Sequence, residues 1–232
     1  MDGAVAILTC DKYSPFWEGM YYYMDKYWDY SIPWPIYFCN ETLAVPHHPH
    51  IKHLPLGPGP YHERQLRMVS QLQNYKYIFY LQEEFWPYDR MTREMFMGLF
   101  QLIEQNNWDC LHLYGHQPEH YILEPTDVFF KNRRIMRFSN KSNWFFSQQA
   151  RFWKRELLQK CIVPPLVSEE KISSSISVEV ECDKYMRQNF PDSKVMLYHY
   201  WWYPIAGVAW RGKMSAVGQE MQYKMMVDKS MK

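Results

Sequence analysis

The sequence has few cysteines, almost no net charge and no long apolar run. Its five cysteines are an odd number and include no Cys-x-x-Cys pair, which argues against a disulfide framework and a structural zinc site. No apolar run is long enough to span a bilayer. The first ten residues also lack the basic start and long apolar core of a signal peptide. We therefore expect a soluble protein in a reducing, cytoplasmic compartment.

The net charge of +1 provides no overall field that would attract nucleic acid or an anionic membrane. An anionic ligand would have to be held by local charge. The 232 residues, 47% of them hydrophobic, are enough for one α/β domain with a sizeable core. Aromatic residues are abundant at 18%, and they serve either core packing or stacking on sugar rings and bases.

Apolar runs alternate with helical patterns along the first half of the chain. The runs predict strands at 4–8, 36–39, 51–56, 77–82 and 109–114. Helices are predicted at 15–27 and 61–74, and a third begins at Thr92, the N-cap residue. This alternation predicts an α/β, Rossmann-like domain with a mainly parallel central sheet flanked by helices.

The second half is less regular. Short strands are predicted at 128–130, 134–138 and 144–146, and helices at 148–161 and 178–189. A Ser- and Glu-rich loop at 168–177 separates the helices, a strand is predicted at 194–202, and 221–232 has the pattern of a frayed tail.

The stretch from Lys76 to Trp86 is central to the functional interpretation. A buried strand ends there in two adjacent carboxylates, Glu83 and Glu84, followed by Phe85 and Trp86. Ligands of α/β proteins bind in the crevice outside the carboxyl ends of the strands. Two charges beside a core strand are also unfavourable unless something compensates them. The alternative interpretation is a solvated acidic turn.

Three landmarks together resemble the nucleotide-sugar glycosyltransferases of the GT-A fold, in particular those of bacterial surface-glycan clusters and large DNA viruses. They are the opening strand with Cys-Asp-Lys-Tyr at 10–13, the Pro-Ile-Tyr at 35–37, and the strand at 77–82 with its paired acids. The late Trp-Arg-Gly-Lys at 210–213 also fits. The resemblance implies a single domain over 1–232. Its nucleotide-sugar-binding half is 1–115, its acceptor and catalytic half is 116–215, and its tail is 216–232.

The resemblance implies that the end of the first strand receives the base and ribose of the donor. Thr9, Asp11 and Tyr13 hold those positions here. A carboxylate accepts hydrogen bonds from ribose hydroxyls or a uracil N–H, and a tyrosine ring can stack. Judged on residues alone, a loop acid near a helix start is an equally good interpretation of Asp11.

The family's acidic motif carries a divalent cation, Mn²⁺ or Mg²⁺, that bridges the donor diphosphate, and a late histidine, here His199, sometimes completes the site. The sequence departs from the family's Asp-x-Asp, because Glu83 and Glu84 are adjacent. In a continuing strand they would face opposite sides, so only one would reach a metal. Without a metal, the cations that could neutralise the diphosphate are Arg64, Arg211 and Lys213.

Transfer to a hydroxyl with inversion needs a carboxylate general base. Glu179 and Glu181, at the start of a predicted helix, are the candidates, with Glu179 preferred. Acids placed by the helix dipole are the competing interpretation. Trp144 is a candidate platform for the acceptor sugar.

These features predict a hexosyl- or deoxyhexosyltransferase that moves a sugar from a nucleotide-sugar, in the first instance a UDP-linked one, to a glycan acceptor. One alternative is a non-catalytic carbohydrate- or nucleotide-binding module. Another is a nucleotidyltransferase, which should carry a glycine-rich basic loop after the first strand. The residues at 9–12, Thr-Cys-Asp-Lys, do not form such a loop.

Overall fold

A computed structural model describes residues 2–113, 121–166, 175–198, 205–210 and 213–231. The strands of the described residues are, in chain order, β1 (Gly3–Leu8), β2 (Ile36–Cys39), β3 (Ile51–His53), β4 (Tyr77–Gln82), β5 (Phe85–Pro87), β6 (Cys110–His112), β7 (Leu123–Phe130), β8 (Arg133–Phe138), β9 (Arg151–Lys154), β10 (Val195–Tyr198), β11 (Ile205–Gly207), β12 (Ala209–Trp210) and β13 (Lys213–Met214). The helices are α1 (Trp17–Tyr27), α2 (Tyr61–Gln71), α3 (Arg93–Gln105), α4 (Arg155–Leu166), α5 (Ser175–Asn189) and α6 (Ala216–Ser230). A 3-10 helix, Asp11–Phe16, precedes α1.

Nine strands form one sheet in the order β3-β2-β1-β4-β9-β6-β10-β8-β7. All run in the same direction except β8 and β9, which are antiparallel to their neighbours. The mainly parallel, helix-flanked sheet predicted from the alternation is therefore confirmed.

Both faces of the sheet are buried, as expected for strands covered by helices on either side. On β4, Phe79 and Leu81 pack with residues of α1, α3 and α6. Ile78 and Tyr80 pack on the opposite face with residues of α2, α4 and α5. This alternation explains why β4 is an almost unbroken run of large apolar residues.

The prediction of a helix over 148–161 is wrong in its first part. Residues Arg151–Lys154 form β9, which pairs antiparallel with both β4 and β6, and α4 begins only at Arg155. Phe152 and Trp153 are buried on opposite faces of the sheet, where aromatic side chains fit a strand well.

Two further predictions in the second half are wrong. Residues 144–146 form a turn rather than a strand, and Trp144 has a left-handed backbone with φ 63°. The segment 221–232 is largely helical rather than frayed. Helix α6 starts at the Ser215 cap, whose hydroxyl accepts from Gly218 N, and it buries Met221 and Met225. Within the described ranges, no helix is long and apolar enough to cross a membrane.

Candidate functional site

The candidate site lies at the carboxyl edge of the sheet, where parallel strands end together. β1 leads there to residues 9–11, β2 to residues 40–41 and β4 to residues 83–84. Leu8, the last residue of β1, pairs with both Cys39 and Gln82. The three segments are therefore neighbours at the edge where α/β folds bind ligands.

The paired acids occupy a tight turn between β4 and β5. The indole Nε1 of Trp86 donates to the Glu83 carbonyl at 2.9 Å, and Val208 N donates to the Glu84 carbonyl at 2.8 Å. Glu83 is only 5% exposed, whereas Glu84 is half-buried. The turn is thus fixed from both sides, and the two side chains have different surroundings.

The electrostatic neighbours of the two acids differ accordingly. Burial, and then the charge of Glu84, raise the pKa of Glu83 to about 8, against a hydrogen bond from the Thr9 side chain and the charge of Arg64. Burial, and then the charge of Glu179, raise the pKa of Glu84 to about 7. Glu83 therefore faces the end of β1, and Glu84 faces α5.

Asp11 is engaged by the turn that follows β2. Its carboxylate accepts from the Thr42 hydroxyl at 2.6 Å, the Leu43 N–H at 3.0 Å and the Asn40 amide at 3.0 Å. Hydrogen bonds from Thr42, Asn40 and Leu43 outweigh burial and lower the pKa of Asp11. Asp11 consequently holds the loops after β1 and β2 together as a charged acceptor.

Thr9 and Arg64 lie directly behind this edge. The Thr9 hydroxyl accepts from Trp17 Nε1 at 2.8 Å, and its carbonyl accepts from Arg64 Nη1 at 2.6 Å. Arg64 Nε also donates to the Gly59 carbonyl and lies 3.4 Å from a carboxylate oxygen of Glu41. Because Arg64 is only 5% exposed, it supplies positive charge from below the surface.

Tyr13 is half-buried at the same edge. Burial raises the pKa of its hydroxyl, with smaller contributions from Cys10, Glu83 and Glu84. Lys213 is exposed and lies in the β12–β13 hairpin. That hairpin starts beside Val208, the residue that donates to Glu84. Arg211 and His199 lie outside the described residues.

The two candidate bases on α5 have different environments. Glu179 Oε1 accepts from Gln148 N at 2.7 Å. Burial raises the pKa of Glu179, while the Ser147 hydroxyl, the Gln148 N–H and the Arg151 charge oppose that rise. Glu181 is more exposed and pairs with Lys184 at 2.7 Å. The charge of Glu179 acts on Glu84, whereas the carboxylate of Glu181 is engaged by Lys184.

Below the acids lies a layer of buried and half-buried polar side chains that the sequence interpretation missed. Gln82 Nε2 donates to the Tyr61 hydroxyl at 2.9 Å, and that hydroxyl lies 2.6 Å from the Tyr80 hydroxyl. Gln148 Nε2 donates to Gln65 Oε1 at 3.2 Å. These residues come from α2, β4 and the segment before β9, so no local pattern could have identified them.

Arg151 is a second feature that was missed, because it lies in the strand predicted as a helix. It is completely buried, opposite Tyr80 on β4 and His112 on β6. Its Nη1 donates to His112 Nε2 at 2.7 Å. Burial and the Arg151 charge hold the pKa of His112 well below its usual range. Arg151 Nη2 has no hydrogen-bond partner within the described ranges.

Trp144 lies in the turn beside Asp183, which is one helical turn after Glu179 on α5. Asp183 Oδ1 accepts from Phe146 N at 2.8 Å, and a hydrogen bond from the Trp144 N–H helps to lower the pKa of Asp183. Burial nevertheless raises the pKa of Asp183 overall. Trp144 thus contacts Asp183 through its backbone.

Among the described residues, no group of three or more His, Cys, Asp or Glu side chains could hold a metal ion. Glu83 and Glu84 offer carboxylate oxygens on adjacent residues of the turn after β4. Mg²⁺ is typically held by one or two carboxylates together with substrate phosphates. The pair therefore fits an ion shared with a diphosphate rather than a closed protein site.

No protein-family model and no curated protein matches the chain. Its fold is similar to that of S. aureus TarS 1–349 in complex with UDP-GlcNAc, with a TM-score of 0.51 and 10% identity over 85% of this chain and 56% of that one. Another TarS structure gives a TM-score of 0.54 and 9% identity over 97% and 38%. This chain thus spans 56% of the one TarS chain and 38% of the other.

The fold is also similar to 2-C-methyl-D-erythritol 4-phosphate cytidylyltransferase from Thermus thermophilus. The TM-score is 0.52 and the identity 9%, over 99% of this chain and 100% of that one. At such identities the likeness shows the fold alone. The fold is thus one that also occurs in nucleotide-binding transferases, and the resemblance to GT-A nucleotide-sugar glycosyltransferases is confirmed at that level.

Proposed function

We propose that the protein transfers a sugar from a nucleotide-sugar, in the first instance a UDP-sugar, to a hydroxyl of a glycan acceptor. The observation that carries the proposal is that the paired acids Glu83 and Glu84 follow β4 beside the end of β1, with Glu179 near enough for its charge to act on Glu84. Sugar transfer needs both functions there, negative oxygen ligands for a cation that neutralises the diphosphate and a carboxylate that takes a proton.

Glu179 is the proposed general base. Its carboxylate is oriented by Gln148 N and the Ser147 hydroxyl, and burial raises its pKa, which makes the carboxylate a stronger base. It would remove the proton of the acceptor hydroxyl as the oxygen attacks the sugar C1 and the nucleoside diphosphate leaves. Attack on the face opposite the leaving group inverts the configuration.

Glu84, with Glu83 behind it, would hold Mn²⁺ or Mg²⁺ between the protein and the donor diphosphate. The ion would offset the charge that develops on the leaving diphosphate. Arg64 lies beneath this edge, and Lys213 is in the hairpin next to it. Both add positive charge on the same side.

Thr9, Asp11 and Tyr13 would form the nucleotide end of the site. Asp11 already accepts hydrogen bonds from four donors of residues 40–43. Its role would therefore be to shape the loop on which the ribose and base lie. Tyr13 would provide the ring surface.

Nucleotidyl transfer is the second candidate, because the cytidylyltransferase fold matches over the whole of both chains. The two reactions release different products. A glycosyltransferase releases a nucleoside diphosphate from a nucleotide-sugar, whereas a nucleotidyltransferase releases pyrophosphate from a nucleoside triphosphate and a sugar phosphate or alcohol phosphate.

The test is a thermal-unfolding panel of UDP, GDP, CMP and dTDP, each with Mn²⁺ and with EDTA, because a ligand that binds the native state raises its stability. We expect one diphosphate to raise the midpoint with Mn²⁺, and Glu84→Gln to remove the part of the shift that depends on Mn²⁺. Stabilisation by CMP alone, together with pyrophosphate release from CTP, would favour nucleotidyl transfer. Absence of any shift would contradict both.

A further inference from the structure

Arg151 has an unusual place for a guanidinium. It lies on β9, in the middle of the nine-stranded sheet, and is completely buried. A charge in such a place is strongly unfavourable unless it is paired or hydrogen-bonded. Its ion pairs and hydrogen bonds should therefore indicate why it is there.

The described part of the chain gives Arg151 no carboxylate within ion-pair distance. Nη1 donates to His112 Nε2 at 2.7 Å, and Nε donates to the Gln149 carbonyl at 3.3 Å. The guanidinium lies 5.4 Å from the centre of the Trp153 ring. Nη2 is buried and has no hydrogen-bond partner among the described residues. Within that part of the chain, the cation is thus fixed in place by neutral groups, with no opposite charge at close range.

His112 fixes the orientation of the guanidinium. Because arginine can only donate, His112 Nε2 must be the acceptor, and the proton of the neutral ring lies on Nδ1. A hydrogen bond between His112 and the backbone of Phe145 is consistent with this tautomer. The arrangement is rigid, since β4, β9 and β6 are paired on either side of Arg151.

The charge of Arg151 acts on Glu179. Arg151 Nε binds the Gln149 carbonyl, and the next residue back, Gln148, donates its N–H to Glu179. The other ionisable groups that act on Glu179 or are acted on by it are Asp183 and Cys182 on α5, Tyr80 on β4, and Glu84 in the turn after β4. These can only be neutral or negative. Arg151 is therefore the cation that offsets them among the described groups.

We propose that Arg151 is a positioning residue for Glu179. Its bond to the Gln149 carbonyl holds the segment whose Gln148 N–H orients the Glu179 carboxylate, and its buried charge favours the charged form of that carboxylate. The inference rests on the proposed role of Glu179 as general base. Arg151 itself touches neither donor nor acceptor in this role.

The test uses variants of Arg151 and a direct titration of Glu179. Arg151→Met removes the charge, Arg151→Gln removes it but keeps an N–H donor for His112, and Arg151→Lys keeps it. Lys154→Met is the matched control, because Lys154 ends the same strand and pairs with Asp109 at 2.7 Å. Carbon-13 NMR of labelled glutamate, assigned with Glu179→Gln, follows the Glu179 carboxylate as pH changes.

We expect the Glu179 titration to move upward by about one pH unit in both neutral variants, as for a carboxylate that loses a nearby opposite charge. Arg151→Lys and Lys154→Met should leave the titration close to that of the wild type. In assays of sugar transfer, the acid limb of the pH–rate profile should move in the same direction. kcat should fall while the KM for the nucleotide-sugar stays unchanged.

An unchanged Glu179 titration in Arg151→Gln would overturn the proposal, even if Arg151→Met fails to fold. The proposal would also be overturned if the Glu179 titration moved as much in Arg151→Lys as in Arg151→Gln. The charge of residue 151 would then not be the cause of the shift. If the titration moves as expected but no nucleotide-sugar is consumed at any pH, the positioning role of Arg151 toward Glu179 holds and the proposed sugar transfer fails.

Discussion

Replacing Glu83 with glutamine tests whether the edge of the sheet holds a buried, partly protonated carboxyl. Burial and Glu84 raise the pKa of Glu83 from 4.5 to about 8. Below the lower value both the folded and the unfolded chain carry the proton, so the native state keeps its full stability. As pH rises toward the higher value, only the unfolded chain ionises freely, and the native state loses stability.

The size of the loss follows from the two pKa values. One pH unit corresponds to about 1.4 kcal/mol, so the difference amounts to on the order of 5 kcal/mol between acid and alkaline conditions. Glu83→Gln removes the titrating group while keeping an acceptor for the Thr9 hydroxyl. The variant should therefore be more stable than the wild type at about pH 9, and similar to it at about pH 5.

Urea unfolding of both proteins at the two pH values measures this difference. Glu220→Gln is the control, because Glu220 is exposed on α6 and Lys224 lowers its pKa, the opposite direction to Glu83. It should lose the same free energy as the wild type. If Glu83→Gln also loses as much stability between the two pH values as the wild type does, Glu83 is not a buried carboxyl of raised pKa.

Two further substitutions test the packing around the site. Asp183→Ala leaves Phe146 N and Arg187 without their acceptor. The free energy of unfolding in urea should therefore fall by about 1–3 kcal/mol. If Asp183→Asn loses as much, the charge of Asp183 does not stabilise the native state. Gly19→Ala places a methyl group inside the Trp86 ring, so the native state should lose about 1–3 kcal/mol. An unchanged unfolding midpoint would mean that α1 does not pack on β5 so closely.

Local signals in the sequence were sufficient for much of the fold. Thr92 was predicted to cap a helix, and its hydroxyl accepts from Met95 N at the start of α3. The run at 77–82 was predicted to be a buried strand, and β4 has those bounds. In both cases the information lies within a few residues of the element concerned.

The position of β9 could not be predicted in the same way. Residues Arg151–Lys154 form a strand because they pair with the edge of β4 on one side and with the edge of β6 on the other. This pairing depends on segments distant in sequence, as the register pairs Arg151↔His112 and Arg151↔Tyr80 show. In the predicted helix, nothing marks Arg151 as a buried residue. In the observed strand β9, Arg151 is completely buried.

In the candidate site, too, some features follow from local sequence signals and others depend on contacts between distant segments. The paired acids could be found because they follow a strand directly. The engagement of Asp11 by residues 40–43 depends on contacts about 30 residues away in sequence, so the sequence alone left two interpretations open. The preference for Glu179 over Glu181 was a prediction from position, and the contacts with Gln148 and Lys184 now give each residue a different environment.

The central claim is that Glu179 removes a proton from an acceptor hydroxyl as a sugar leaves its nucleoside diphosphate. The most direct measurement is the rate of nucleoside diphosphate and glycoside formation from the nucleotide-sugar that stabilises the protein, followed by mass spectrometry in the wild type and Glu179→Gln. The account predicts that the wild type forms both products in equal amounts. Glu179→Gln should bind the nucleotide with unchanged affinity and lose at least about a hundredfold in rate, the range for a general base. Equal rates in the two proteins would contradict the account.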